Sequence, residues 1–204
     1  MEPFTRLTAV AAPIDLPNVD TDRIIPARFL RRPQGSPGYE RFLFHDVRFD
    51  AAGTERPEFV LNQAPYRDAR VLVTAENFGC GSSREAAVWA LAANGIRAVI
   101  APSLGDIFRQ NCGKNGVLAV LLPAETVATM RRQLHDRPGA VVTVDLASQT
   151  VTGPDGAAHE FAVDGFRKRC LLEGLDEIGL TRTYEPAITA FEAQHAEAFP
   201  WLRL

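Results

Sequence analysis

The chain has little of what would mark several classes of protein. Its 204 residues include three cysteines, Cys80, Cys112 and Cys170, odd in number and far apart. There is no CxxC pair and no Cys/His grouping at metal-ligand spacing. Neither a disulfide framework nor a metal or iron–sulfur centre built by this chain alone is therefore expected. Charge of one sign is also missing in bulk: 22 Lys and Arg stand against 25 Asp and Glu, a formal net charge of −3. Short basic runs such as Arg31-Arg32 and Arg167-Lys168-Arg169 read as solvated surface, too brief to neutralise a run of phosphates. A nucleic-acid partner is not expected. No window approaches about 18 uninterrupted apolar residues, and the first residues lack a basic leader with an apolar core. The expectation is a cytoplasmic protein with no membrane span.

What is present is a core-forming composition, 46% apolar, which suits one domain over residues 1–204. "FTRLTAVAAPI" reads as a strand and "DLPNVDTDRIIP" as a polar turn after it. "RRPQGSPGY", Arg31–Tyr39, is a loop by its glycine, proline and charge. From Ala69 the pattern runs strand, glycine loop, helix, strand, helix, strand, the last being "VLAVLLP". Such a βαβαβ succession predicts an α/β fold with an at least partly parallel sheet. An amphipathic helix follows, "ETVATMRRQLHDRPG", then a hairpin around Gly153-Pro154-Asp155-Gly156. The last stretch, residues 165–204, reads as mainly helical with a break at Glu185-Pro186.

Two polar corners carry the chemistry. "ENFGCGSSRE", Glu76–Glu85, lies between a strand and a helix, at the carboxyl edge where α/β proteins bind ligands. With the helix predicted to begin near Ser83, its free N–H groups would favour an anion. Gly79 and Gly81 permit close backbone approach. Ser82 and Ser83 add hydroxyls, and Arg84 offers a fork matched to a carboxylate or phosphate. Three uses fit the loop taken alone: helix capping, anion binding and catalysis. The nucleotide fingerprints do not fit, because no lysine follows the glycines and Arg84 replaces the third glycine of GxGxxG. In "NVDTDRIIP", Asp20 and Asp22 flank Thr21. They make either an ordinary Asx turn or a carboxylate aimed into a cleft to orient a base or hold an arginine.

With both corners in view, the chain resembles the small subunits of 3-isopropylmalate dehydratase in the aconitase superfamily. The residues that carry the resemblance are Asn18–Leu30, Asn77–Glu85, Trp89–Phe108 and Asn111–Val120, with "LLEGLDEIGLT" near the end. The resemblance implies a swivelling β/β/α domain like the mobile C-terminal domain of aconitase, a mixed, partly parallel sheet with flanking helices. It implies a large-subunit partner carrying a [4Fe–4S] cluster, no cofactor on this chain, and a small dicarboxylate or tricarboxylate-like substrate. The implied reaction moves a hydroxyl between adjacent carbons of isopropylmalate, by dehydration and rehydration, in leucine biosynthesis. By position, Ser82 matches the serine alkoxide that acts as base, and Arg84 the arginine that binds a substrate carboxylate. Ser83 and Gly81 flank that contact, and Asp22 matches a supporting acid. Arg31 or Arg32, with Arg32 favoured, falls near another substrate-gripping arginine. The Arg31–Tyr39 loop is expected to close over substrate when the large subunit docks. One departure stands out: Ala86 follows Glu85 where the family usually has histidine. It leaves open a related alkyl- or methyl-substituted malate as substrate. A different class of reading is a non-catalytic module whose "GCGSSR" only grips an anion. None of His45, His135, His159 and His195 falls in a matched motif, so each is expected to pack or face solvent.

Overall fold

A computed structural model describes residues 1–202. Its centre is one seven-stranded sheet in the order β4-β3-β2-β1-β5-β6-β7. The strands are β1 (Arg6–Ile14), β2 (Val71–Thr74), β3 (Ala98–Ala101), β4 (Leu118–Leu121), β5 (Val141–Asp145), β6 (Thr150–Thr152) and β7 (Ala158–Glu160). The first four run parallel, with Ala11 opposite Val71, Val71 opposite Ala98 and Ala98 opposite Leu118. β5 pairs antiparallel with the outer half of β1, and β6 and β7 extend that wing as the expected hairpin.

Every residue of β2 and β3 is buried, which is why these segments are continuous apolar runs rather than alternating ones. Alternation survives as a division between two cores. Leu72 and Val99 point to a cluster with Ile24, Phe78, Leu91 and Phe108, whereas Val71, Val73, Ala98 and Ile100 meet Val127, Met130 and Leu134. The second layer of helix belongs to α5 (Ala124–Asp136) and the first to α3 (Ala86–Ala93) and α4 (Asp106–Lys114). The mixed, partly parallel sheet with flanking helices implied by the resemblance is the arrangement found.

Two expectations need correction. The turn after β1 contains a single helical turn, α1 (Thr21–Ile24), capped by the Asp20 carboxylate accepting from the Arg23 N–H at 2.7 Å. A four-residue helix is too short to leave a periodic signature. The helix expected near Ser83 begins at Ala86, and no side chain caps it. The residues before it are tied to α1 instead. Between β1 and β2 lies also α2 (His45–Arg48). Beyond β7 the chain is helical as expected, in α6 (Gly165–Glu173), α7 (Glu177–Arg182) and α8 (Glu185–Ala198). The helical region is interrupted between α7 and α8, directly ahead of Glu185-Pro186 as expected, and Pro186 stands in the first turn of α8, where a missing N–H costs nothing. The last two positions of the 165–204 stretch lie outside the described residues. No helix among the described residues is long and apolar enough to cross a membrane.

Candidate functional site

Three loops leave the carboxyl ends of adjacent parallel strands β1, β2 and β3, and backbone bonds knit them together. The Thr21 N–H donates to the Cys80 carbonyl at 2.9 Å, the Gly79 N–H to Val19 at 2.7 Å and the Gly105 N–H to Phe78 at 2.9 Å. Asn18 and Asn77 both take left-handed backbone, with φ of 53° and 57°. The Asn77 side-chain amide donates to Asn18 Oδ1 at 2.8 Å, and the Asn77 N–H donates to Ser103 Oγ at 2.8 Å. Asparagine tolerates this backbone better than other residues with a Cβ. Two glycines are sterically required. Gly79 has φ of 74°, and a Cβ there would enter the ring of Phe108; a Cβ on Gly105 would run into the Gly79 carbonyl.

On this frame the Ser82 side chain is half-buried, neither free in solvent nor sealed in a core. Its Oγ lies 2.8 Å from Thr21 Oγ1, and the Ser82 N–H donates to the same Thr21 oxygen at 3.3 Å. Arg84 forms an ion pair with Asp22 through Nη1 and Oδ1. The guanidinium is 27% exposed and the carboxylate 53%. Asp22 thus holds an arginine, one of the two uses open to it from sequence, and Arg84 keeps its remaining N–H donors for a second anion. Gly81 and Ser83 are exposed beside Ser82. The structure therefore gathers Ser82, Arg84, Asp22, Ser83 and Gly81 at one edge of the sheet. It does so from segments about sixty residues apart.

Arg31 and Arg32 are not gathered with them. Both are exposed, and among the described residues neither guanidinium forms an ion pair or a hydrogen bond to the Ser82 loop. The Arg31–Tyr39 segment is a succession of turns. It is anchored at its far end by buried Tyr39 and by Phe42, whose ring stacks on Phe29 at 4.3 Å. Ala86 is 7% exposed and belongs to the core cluster with Phe78 and Phe108. The departure at this position therefore sits in packing behind the loop, not on its open side. His45 packs between Phe29 and Phe49, and His135 bonds Asp15 at 2.7 Å.

Several supporting residues escaped the sequence reading. Asn111, largely buried on α4, donates to the Ser83 carbonyl at 3.3 Å. Asn115 donates to Glu85 Oε1 at 2.7 Å while accepting from Trp89 Nε1 at 3.1 Å. Thr21, 1% exposed, is the partner of Ser82. Both asparagines lie inside "NCGKNG", Asn111 within α4 and Asn115 just past its end, and neither place carries a local sign of what the side chain faces.

Among the described residues no group of three His, Cys, Asp or Glu is placed to hold a metal ion. Cys112 is fully buried and burial pushes its thiol far above the ordinary range. This chain's residues do not fit the cluster that the resemblance assigns to a large subunit. A concavity of about 610 Å³ lies between α4 and α6–α7 against Arg109, Lys114, Phe166 and Leu180. It includes none of the Ser82 loop, so volume alone does not find the chemical edge.

Comparison with known proteins bears on this geometry. Residues 1–125 match the model of the aconitase C-terminal domain. Residues 122–165 match a model described as LeuD_N, and residues 177–203 that of the C-terminal domain of the 3-isopropylmalate dehydratase small subunit. The 3-isopropylmalate dehydratase small subunit of Dinoroseobacter shibae is 54% identical over 99% of this chain and 100% of its own length. The Jannaschia sp. protein of the same name is 55% identical, with the same coverage. That of Leptospira interrogans is 53% identical over 99% of this chain and 98% of its own. A crystal structure titled 3-isopropylmalate dehydratase, from Methanocaldococcus jannaschii, superposes with a TM-score of 0.66 at 24% identity. That match covers 91% of this chain and 98% of the other, and it supports the fold.

Proposed function

This chain belongs to the family of 3-isopropylmalate dehydratase small subunits, and from that premise we propose that it supplies the proton-accepting side of the hydro-lyase site. The enzyme isomerises 2-isopropylmalate and 3-isopropylmalate through 2-isopropylmaleate in leucine biosynthesis, acting with a large subunit. The full-length relatives that share this architecture carry that name, so a non-catalytic anion-binding module is not favoured.

The observation that carries the reading is the half-buried Ser82 hydroxyl at the carboxyl edge, within the same short loop as the Arg84 guanidinium. Arg84, steadied by Asp22, grips the carboxylate next to the acidic C–H. Exposed Ser83 and Gly81 offer backbone and hydroxyl contacts at the same end of the substrate. Ser82, as the alkoxide, takes the C–H proton. The C–H electron pair becomes the C=C bond as the hydroxyl leaves the neighbouring carbon. Rehydration in the opposite sense returns the proton and places the hydroxyl on the other carbon. An alkoxide is a strong base whose formation requires fixed hydrogen-bond donors around it, and holding the substrate in register contributes further by orientation. The large subunit's [4Fe–4S] cluster supplies the Lewis acidity for the departing hydroxyl when bound. Arg32, on its exposed loop, reaches substrate only if that loop folds inward on assembly.

The test is Ser82→Ala, reconstituted with a cluster-loaded large subunit and followed by 2-isopropylmaleate absorbance. Turnover should fall by about 100- to 10,000-fold, the usual worth of a positioned base, with assembly intact. A variant that keeps the wild-type rate removes Ser82 from the mechanism. A panel of alkyl- and methyl-substituted malates, run on the wild-type complex, identifies the preferred substrate.

A further inference from the structure

We propose that Thr21 is a positioning residue for the reaction, the hydrogen-bond donor that holds Ser82 in its proton-accepting form. The inference rests on the reading of Ser82 as base. Thr21 is 1% exposed, at the start of α1, and touches Ser82 twice. Its Oγ1 accepts the Ser82 N–H at 3.3 Å and lies 2.8 Å from Ser82 Oγ.

A threonine hydroxyl has one proton to give and two lone pairs to receive with. One lone pair takes the Ser82 amide. The Thr21 proton then has Ser82 Oγ within ideal reach, and no other acceptor is bonded to it among the described residues. While both hydroxyls are neutral, either one can donate. Once Ser82 has lost its proton, only Thr21 can. The contact therefore strengthens when Ser82 becomes an alkoxide, because a hydrogen bond to a charged acceptor is worth more than one between neutral groups. It favours the form that removes the substrate proton.

The backbone makes the donor rigid. The Thr21 N–H is fixed on the Cys80 carbonyl at 2.9 Å, and the Thr21 carbonyl accepts from the Ile25 N–H at 2.9 Å. Gly81 passes directly over it: a Cβ at Gly81 would lie 3.8 Å from Thr21 Oγ1. Burial keeps water from competing for Ser82 on this side. The Ser82 hydroxyl, which could otherwise cap a helix by accepting one of its first N–H groups, is paired with Thr21 on α1 instead.

Thr21→Val keeps the shape and removes the hydroxyl, and Thr21→Ser restores it. In the reconstituted complex, kcat of the valine variant should fall by about 10- to 100-fold, the worth of a hydrogen bond to a charged acceptor. KM should change by less than about threefold, since a buried Thr21 does not reach substrate; a tenfold effect corresponds to about 1.4 kcal/mol. The acid limb of the kcat–pH profile should move to higher pH, because loss of the donor makes Ser82 harder to deprotonate. The charged neighbours on α1 and the loop, Asp20, Asp22, Arg23, Arg84 and Glu85, are unaltered in both variants. Thr21→Ser should recover most of the rate and the original profile.

Wild-type kcat and profile in Thr21→Val, beside an inactive Ser82→Ala, would overturn the proposal. So would a loss of rate with an unmoved pH profile that Thr21→Ser does not repair, which is the signature of a merely structural role. An active Ser82→Ala instead removes the base reading itself, so the two failures are distinguishable.

Discussion

Replacing Asp22 by Asn separates what the Asp22–Arg84 pair does for the fold from what it does for the site. The carboxylate is 53% exposed and the guanidinium 27%. An ion pair this wet contributes only about 0.2–1 kcal/mol. In a chain of this size 1 kcal/mol moves Tm by roughly 2–4 °C, so Asp22→Asn should cost no more than about 4 °C. High salt should shrink even that difference, because exposed pairs are screened within a few ångströms at 1 M. The effect on chemistry should be far larger. A guanidinium released from its anchor spreads over several rotamers and meets the substrate carboxylate off line, and a misplacement near 1 Å can cost about 100-fold. In the reconstituted enzyme kcat/KM should fall by about 10- to 100-fold, chiefly through KM, as seen by maleate absorbance across a substrate series. A variant that melts more than about 10 °C early, with activity lost in proportion, would show the pair to be structural and sink the reasoning. Unchanged kinetics would do the same from the other side.

Two further perturbations use groups far from the catalytic edge. Tyr39 and Tyr66 are equally buried at 2% exposure, but Tyr66 Oη donates to the Leu134 carbonyl at 2.7 Å, whereas Tyr39 Oη has no partner among the described residues. Tyr66→Phe strands a carbonyl in the last turn of α5 and should cost about 1–3 kcal/mol by denaturant titration, while Tyr39→Phe should be neutral or stabilising. Asp46 is held below its usual range first by the hydrogen bond from Arg28, with smaller help from His45. A depressed carboxylate contributes stability above its unfolded value, near pH 4, and loses it as pH falls through the folded one. Asp46→Asn should therefore be slightly less stable at pH 7 and converge with the parent in acid; the pair is half exposed, so about 0–1 kcal/mol bounds the gap.

Sequence pattern was sufficient for the strands and the longer helices, and insufficient for single helical turns such as Thr21–Ile24 and for what each element meets. Strands such as Ala98–Ala101 declare themselves because burial on both faces demands unbroken apolar residues. The helix at Ala86–Ala93 declares itself through its helix formers and the Asn94-Gly95 end. Its true start did not, because the Ser82 hydroxyl that would cap an earlier start is paired with Thr21, sixty-one residues away. The same distance problem hid the Asp22–Arg84 pair and the hold of Asn111 on Ser83. Both corner motifs were visible as chemistry, since their residue types and order are unusual. That they meet follows only from β1 and β2 lying side by side in parallel.

The interlock of Gly79, Gly105 and Phe108 makes the reactive corner hostage to positions that never approach a substrate. One methyl group at residue 105 has nowhere to go except into the peptide carrying Gly79. A mutational survey scored on growth without leucine should therefore mark residue 105 as intolerant, and anyone holding that map alone would mistake a spacer for a participant.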